Sequence, residues 1–99
     1  MNIKISSLHF DADQKLLDFV DKKVKKMEQY YEGIIGVEVV LKVEKAHESD
    51  NKVAEIKLEI SGNDLFAKKQ ATTFEEAVDL SIDALKKQIT KYKEKLKGS

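Results

Sequence analysis

The sequence of 99 residues contains no cysteine, proline, tryptophan or arginine, and it has only four glycines and two histidines. Without cysteine there is no disulfide, no thiolate nucleophile and no cysteine-ligated metal. The dispersed glycines form neither a phosphate-binding P-loop nor a dinucleotide-binding fingerprint. No apolar run approaches the ~20 residues of a membrane-spanning helix, and the N-terminus does not resemble a signal peptide. We therefore expect a soluble, cytoplasmic protein.

The residues that could support catalysis or bind a metal are few and scattered. His9 and His47 have no HxxxH or HExxH spacing that would bring them onto one metal ion. The serines have no base at a recognisable spacing, and Glu75 and Glu76 belong to the first turn of a predicted helix, where they complement its dipole. We therefore predict that the protein is not an enzyme and has no metal and no cofactor.

Length and charge limit the remaining possibilities. A chain of 99 residues forms one domain with one modest core. Its 18 lysines balance its 18 acidic residues, so the formal net charge is zero. The whole molecule is therefore not a generic polycation, and binding to nucleic acid would require lysines to be segregated on one surface.

The first third of the chain predicts a strand followed by a helix. Apolar and polar residues alternate within residues 1–10, which is typical of a strand with one covered face. Asp13 offers a side-chain oxygen as a helix N-cap, and Gly33 ends the helical pattern. The apolar stripe of this helix consists of Leu16, Leu17, Val20, Val24, Met27 and Tyr31.

Three further strands are predicted in the middle of the chain. Residues 35–45 and 54–60 alternate apolar, often β-branched residues with charged ones, and the polar turn 46–51 would join them as a hairpin. Residues 61–64 form a tight turn signal before a weaker strand, residues 65–72. The alternating set of the first of these strands is Ile35, Val37, Val39, Leu41 and Val43.

The last helix, residues 74–97, has the clearest pattern. Thr73 and Glu76 form a capping box at its start. At ~1.5 Å per residue the helix would be about 36 Å long, so we expect its C-terminal end to project beyond the sheet. Its apolar stripe consists of Phe74, Val78, Ile82, Leu85, Ile89, Tyr92 and Leu96.

The predicted element order is therefore β-α-β-β-β-α, which belongs to the α+β class. Because each helix has one apolar stripe and the strands alternate, the economical packing is a four-stranded sheet with two helices packed on one face. We expect the other sheet face to be exposed to water, and the weak strand 65–72 is a candidate for a sheet edge.

Lysine placement exceeds what the fold requires. In the last helix four of the five acids lie in the first half, and six lysines lie in the second half against a single Glu94, whereas a helix dipole needs charges only in a terminal turn. The first helix carries a second lysine cluster, and two helices on one sheet face could join both clusters into a basic groove. Solubility is the alternative reason for such lysines. We interpret the surplus as a surface for a polyanion, with RNA the leading candidate, bound through phosphates because arginine is absent.

Five aromatic residues could be considered for stacking on bases. Tyr31, Phe74 and Tyr92 fall on apolar stripes and are better explained as core residues, with the Tyr92 hydroxyl at the rim of the core. Tyr30 and Phe66 have no such assignment. No strand carries the aromatic motif of an RNA-recognition-motif domain, which argues against reading of single strands on the sheet.

Three segments resemble a known protein family. The run KMEQYYEGIIGVEVVLKVEK, the AVD of residues 77–79 and the closing LKKQITKYKEKLK are similar to the ribosome hibernation-promoting factor family, also called the sigma-54 modulation or ribosome-associated inhibitor family. The resemblance covers nearly the whole chain. It implies a β-α-β-β-β-α domain that binds the small ribosomal subunit, with its 16S rRNA, at the decoding region and inhibits translation in starved or stationary bacterial cells.

The resemblance also implies which residues contact rRNA. Carried over by position, they are Lys22, Lys23, Lys26, Lys86, Lys87, Lys91, Lys93 and Lys95. Family members commonly have a basic residue at the position of Ala84 and an arginine at that of Lys87, so this chain is expected to bind less tightly or with more sensitivity to salt. It resembles the short form, a single ribosome-binding domain over residues 1–99 without a C-terminal dimerisation domain, and we expect a monomer.

A different class of function remains open on the sequence. A protein-interaction module could use the exposed sheet face or an edge strand. The salt dependence of binding distinguishes the RNA-binding hypothesis from the protein-interaction hypothesis. Phosphate contacts release counterions and weaken steeply as the salt concentration rises, whereas an apolar interface does not. Neither DNA nor a membrane is expected as a partner.

Overall fold

The computed structural model of the protein describes residues 1–44 and 50–98. Its elements are β1 Asn2–Leu8, α1 Gln14–Lys25, α2 Met27–Tyr30, β2 Ile34–Val43, β3 Lys52–Ile60, β4 Asn63–Ala71 and α3 Phe74–Gly98. The predicted α+β class and the β-α-β-β-β-α order are confirmed, with the first helix divided into two. His47 and most of the predicted turn 46–51 lie outside the described residues.

The four strands form one mixed sheet in the order β1-β2-β3-β4. β1 pairs in parallel with β2, and a parallel pair needs a crossover connection, which here contains α1 and α2. The other two pairs are antiparallel. Because β4 is last in the strand order, it lies at an edge of the sheet. The turn between β3 and β4 contains Gly62 at a φ of +82°, a backbone conformation that glycine adopts at little cost.

The core lies between one face of the sheet and the helices α1 and α3. Both helices begin at side-chain caps: the N–H of Leu16 donates to Asp13 Oδ1 at 2.8 Å, and the N–H of Glu76 donates to Thr73 Oγ1 at 3.1 Å. The buried members of the core include Val20, Val24, Val39, Leu41, Ile56, Leu58, Val78, Leu85 and Ile89. The prediction of two helices on one sheet face is therefore confirmed.

The first helical segment turns at Lys26. The sequence pattern predicted one helix as far as Tyr31, but α1 ends at Lys25 and a separate four-residue helix, α2, follows. The N–H of Gln29 donates to the carbonyl of Lys26, a bond across three residues that is typical of a tightened turn. Met27 is buried in the core, as its place on the predicted stripe requires, and Tyr30 at the end of α2 bonds to Thr90 on α3.

The start of β2 contains a bulge that the alternating pattern missed. Ile34 pairs with Ile60 and Gly36 pairs with Glu59, so Ile35 is the extra residue between them. Ile34 is consequently buried, while Ile35 is 57% exposed. The prediction that Ile35 shares the covered face of Val37 is therefore wrong, because the bulge shifts the alternation by one residue at this point.

The opposite face of the sheet carries paired charges. Lys42 Nζ lies 2.8 Å from Glu55 Oε2 and 3.4 Å from Glu44 Oε1, and Lys68 Nζ lies 3.6 Å from the same Glu44 oxygen. The hydrogen bond to Glu55 raises the pKa of Lys42 above its ordinary value, against a smaller lowering by burial. Lysines and acids on this face therefore neutralise one another locally.

The helix α3 is the longest element, with 25 residues, and the molecule measures 45 × 25 × 18 Å. In addition to its core packing, it is joined to β4 and to the β3–β4 turn by polar contacts: Gln88 Nε2 donates to the Phe66 carbonyl at 2.8 Å, and the Tyr92 hydroxyl donates to the Ser61 carbonyl at 3.3 Å. Beyond Tyr92 its described side chains are exposed. Within residues 1–44 and 50–98, no helix combines the length and the apolar character needed to cross a membrane.

Candidate nucleic-acid interface

An ion pair connects the two helices that carry the predicted site. Lys23 Nζ on α1 lies 3.2 Å from Asp79 Oδ1 on α3. The same ammonium group lies 5.5 Å from the centre of the Phe19 ring, one turn earlier on α1. Both side chains of the pair remain partly exposed, at 38% and 50%. The pair therefore holds Lys23 between the helices without removing it from solvent.

A cleft of about 360 Å³ lies between α1 and α3, and we call it the interhelix cleft. It contains three lysines and two aspartates around a small apolar floor. Its lining residues are Lys23, Lys26, Met27, Asp79, Ile82, Asp83 and Lys86. Because the ammonium groups outnumber the carboxylates, the cleft suits an anion, while its acids oppose an anion at particular points.

Tyr30 continues the cleft surface along α3. Its hydroxyl forms a hydrogen bond of 2.9 Å with Thr90 Oγ1, and its ring centre lies 5.7 Å from Lys86 Nζ and 5.2 Å from Lys93 Nζ. Lys93 Nζ also donates to the Tyr30 carbonyl at 3.0 Å. Tyr30 therefore connects Lys86, one of the three lysines of the interhelix cleft, with Lys93, two turns further along α3.

The predicted lysines divide between two flanks of α3. Lys91 and Lys95 line a separate concavity of about 250 Å³ with Asn63, Leu65, Gln88 and Tyr92, on the side of β4. Lys22 and Lys87 are exposed. The structure therefore brings together Lys23, Lys26 and Lys86, and through Tyr30 also Lys93, but it does not place Lys91 and Lys95 in the same cleft. The assignment of all eight lysines to rRNA binding stays a prediction.

One feature of this surface, its aspartates, was missed in the sequence, and another, Tyr30, was considered for base stacking but left without an assignment. In the sequence, Asp79 and Asp83 count only among the acids in the first half of the last helix, yet both line the interhelix cleft. Their spacing carried the signal, since Asp79, Asp83 and Lys86 follow one another at four and three residues and so share one face of α3. Tyr30 had no periodic signal, because its partner Thr90 is 60 residues away.

The predicted core aromatics are confirmed. Phe74 is buried and stacks on Phe10, with ring centres 4.4 Å apart, and Tyr31 and Tyr92 pack edge to face at 6.2 Å against the core. The described residues contain no group of three His, Cys, Asp or Glu side chains that could hold a metal ion. His9 is exposed and lies beyond the end of β1.

The fold and the cleft define a class: a small α+β domain that presents a lysine-rich helix pair on one face of a mixed sheet. Residues 3–97 match the family described as "Sigma 54 modulation protein / S30EA ribosomal protein". The chain belongs to this family, which confirms the resemblance seen in its sequence segments.

Curated relatives cover almost the whole chain. The ribosome hibernation promoting factor of Escherichia coli (strain K12) is 38% identical over 98 residues, which are 98% of each chain. The protein of the same name from Klebsiella oxytoca is 34% identical over 97 residues, again 98% of each chain. That from Pseudomonas putida is 33% identical over 95 residues, covering 96% of this chain and 89% of the relative.

Two solved structures share the fold. A ribosomal subunit interface protein from Coxiella burnetii superposes with a TM-score of 0.83 at 20% identity, covering 94% of this chain and 98% of that one. The N-terminal domain of Thermus thermophilus Protein Y superposes with a TM-score of 0.77 at 24% identity, covering 93% and 99%. At these identities the likeness concerns the fold alone.

Proposed function

We propose that this protein is a non-enzymatic ribosome hibernation factor of the cytoplasm. It binds the small ribosomal subunit at the decoding region, contacts 16S rRNA through α1 and α3, and blocks mRNA and tRNA, so that translation is inhibited under stress or in stationary phase. Its membership of the family and the names of its relatives support the ribosome as the partner. The observation that carries the RNA contact is the convergence of Lys23, Lys26 and Lys86 on one cleft.

The proposed chemistry is electrostatic and sequence-independent. Lysine ammonium groups bind phosphates as point charges, and without arginine the chain has no planar fork for bidentate contact with guanine edges. The protein would therefore recognise the shape of an rRNA fold through the positions of its phosphates. Docking would release counterions, which makes the affinity fall steeply with salt.

The proposed mechanism of inhibition is steric. The helix pair is joined by the Lys23–Asp79 ion pair and both helices pack on the same core, so the binding surface exists before the ribosome is met. A preformed surface loses little conformational entropy when it binds. A domain 45 Å long that occupies the decoding region would exclude mRNA and tRNA anticodons from the same space.

The direct test is co-sedimentation of the purified protein with isolated small ribosomal subunits over a salt series, with and without mRNA and initiator tRNA. Binding that weakens with salt and is displaced by these competitors is expected. Binding that tolerates salt and ignores the competitors would place the protein elsewhere on the ribosome. It would also favour the protein-interaction alternative, in which the open sheet face or an edge strand makes the contact.

A matched pair of variants connects this binding to the interhelix cleft. Replacing Lys23, Lys26 and Lys86 by alanine removes the three cleft lysines. We call the slope of log affinity against log salt concentration the salt slope, and we expect its magnitude to fall by about 2–3 in this variant. The control replaces Lys4, Lys57 and Lys69, which change the net charge equally but lie outside the cleft. Equal losses of affinity for small subunits in the two variants would contradict a localised RNA contact.

A further inference from the structure

Tyr30 differs from the other aromatic residues in its surroundings. Tyr31, Phe74 and Tyr92 pack against the core, and Phe66 is exposed on the opposite face of the sheet. The Tyr30 ring is 37% exposed and lies among the lysines of α3, with the ammonium groups of Lys86 and Lys93 within 6 Å of its centre. It is thus an aromatic surface within a cationic one, and core packing does not explain its exposure.

The ring is held in a fixed orientation. Its hydroxyl is bonded to Thr90 Oγ1 at 2.9 Å, and its backbone carbonyl accepts a hydrogen bond from Lys93 at 3.0 Å. Thr90 is itself oriented, because its hydroxyl donates to the Lys86 carbonyl at 3.0 Å. A ring anchored at both ends needs little further ordering when a planar ligand stacks on it.

Space for such a ligand lies beside the ring. A shallow concavity of about 390 Å³ adjoins Tyr30. It is lined by Gln29, Tyr30, Tyr31, Glu32, Gly33 and Lys93. Gln29 and Glu32 offer hydrogen-bonding groups at its wall. The Tyr31 ring packs so closely on Gly33 that a Cβ there would lie within 3 Å of it.

From this geometry we propose that Tyr30 is a stacking platform for one unpaired RNA base. Lys86 and Lys93 are seven residues apart, about 10 Å along the helix, and their ammonium groups lie over the ring. A base that stacked on the ring would displace these ammonium groups onto the phosphates on either side of the stacked nucleotide. The proposal rests on the proposed function and extends it, since it adds a contact to a base where the lysines contact only phosphates. The RNA class it requires is a strand with a base free of its helix.

A purely structural role for Tyr30 makes a different prediction. If the residue only fastened α2 to α3, its hydroxyl bond to Thr90 would matter most, and Tyr30→Phe would impair binding. If the ring is a platform, Tyr30→Phe retains binding within about 2-fold, whereas Tyr30→Leu weakens binding to the small subunit roughly 10-fold, the effect of losing one base–aromatic stack. The Tyr30→Leu variant keeps the salt slope, because no phosphate contact is lost.

The chain has no tryptophan, which allows a direct optical test. Tyr30→Trp introduces a single indole at the platform, and Phe66→Trp introduces one at a position of the opposite sheet face that is 52% exposed. Titration with single-stranded RNA is expected to quench and shift the emission of the first variant and to leave the second unchanged. Inorganic polyphosphate, an anion without bases, should compete for the lysines without quenching either indole.

These measurements separate the platform from the proposed function. If the variant without Lys23, Lys26 and Lys86 loses binding to small subunits while Tyr30→Leu binds normally, the platform is wrong and the function stands. If the lysine variant also binds normally, the proposed function fails. Equal quenching of both indoles by RNA, or quenching of the Tyr30→Trp variant by polyphosphate, would overturn base stacking at Tyr30.

Discussion

Lys23 and Asp79 face each other at 3.2 Å across the interhelix cleft, on the surface that would meet rRNA. An RNA phosphate that bound Lys23 would have to replace the carboxylate of Asp79 or approach beside it. The acid therefore opposes the contact that its partner lysine makes. In the proposed interface such a pair would lower the affinity for any polyanion and favour one whose phosphates avoid the aspartates, which would be a source of selectivity.

Asp79→Asn is therefore expected to strengthen binding to RNA. Lys23 is released from its ion pair and one negative charge leaves the cleft, so the salt slope should rise by at most about 1, the share of one phosphate contact. Stability should change by less than about 1 kcal/mol, because both side chains are partly exposed. Affinity for small subunits and for an unrelated RNA of similar size, measured over a salt series, would check this.

The control for this variant is Glu75→Gln, which removes an equal charge from the first turn of α3 outside the cleft. We expect it to alter the binding far less than Asp79→Asn. We also expect Asp79→Asn to increase the affinity for the unrelated RNA more than the affinity for the small subunit. A larger gain for the small subunit would show that Asp79 does not provide selectivity.

The two lysine flanks of α3 should contribute unequally. Lys86 and Lys93 lie on the flank with the interhelix cleft and Tyr30, whereas Lys91 and Lys95 lie beside β4. Replacement of Lys86 and Lys93 by alanine is expected to weaken binding to small subunits more than replacement of Lys91 and Lys95, because only the first pair acts together with Lys23 and Lys26. Filter binding at two salt concentrations measures the affinity of both double variants for small subunits. A larger loss of affinity on replacement of Lys91 and Lys95 would show that the interface lies on the β4 flank.

The architecture could be predicted because local signals agreed with one another. Strict alternation marked the strands, the stripe from Phe74 to Tyr92 marked α3, and Asp13 and Thr73 marked the helix starts, each confirmed by a cap hydrogen bond. The break at Lys26 and the bulge at Ile35 could not be predicted, because both arise where tertiary packing overrides a continuous pattern.

The site could be predicted only in outline. Charge segregation selected the lysines of α1 and α3, but it could not tell which of them share a cleft, because that depends on how two helices cross. The sequence shows Asp79 and Asp83 only as acids in the first half of α3, and the contact of Asp79 with Lys23 of α1 is a tertiary property. Tyr30 lay in no recognisable pattern, since a helix of four residues has too few turns to show a periodicity.

The bulge in β2 gives a test of the register that needs no ribosome. Ile34 is 7% exposed in the core and Ile35 is 57% exposed outside it. Ile34→Ala is expected to lower the free energy of unfolding by about 2–5 kcal/mol, as for other buried large-to-small changes. Ile35→Ala should change it by about 0.5 kcal/mol or less. Urea unfolding of both variants would show the reverse order if β2 alternated without a bulge.

The pKa of Lys42 predicts how the charged sheet face responds to alkaline pH. The lysine is hydrogen-bonded to Glu55 and near Glu44, and its pKa is raised above the ordinary 10.5. A group with a raised folded-state pKa stabilises the fold at pH values below the unfolded-state pKa and loses this contribution as pH rises through the folded-state pKa. The contribution of Lys42 is therefore complete near neutral pH and disappears above the ordinary lysine range.

Lys42→Met keeps most of the aliphatic stem and removes the charge, so it isolates this contribution. We expect the variant to unfold at a lower urea concentration than the natural chain at pH 8 and the difference between them to shrink steadily above pH 10.5. Lys57→Met, on the same sheet face but outside the cluster of Lys42, Glu44 and Glu55, is the matched control and should show a smaller difference at pH 8. A gap for Lys42→Met that stayed constant from pH 8 to strongly alkaline pH would mean that the lost stability comes from packing of the side chain and not from its pairing with Glu55 and Glu44.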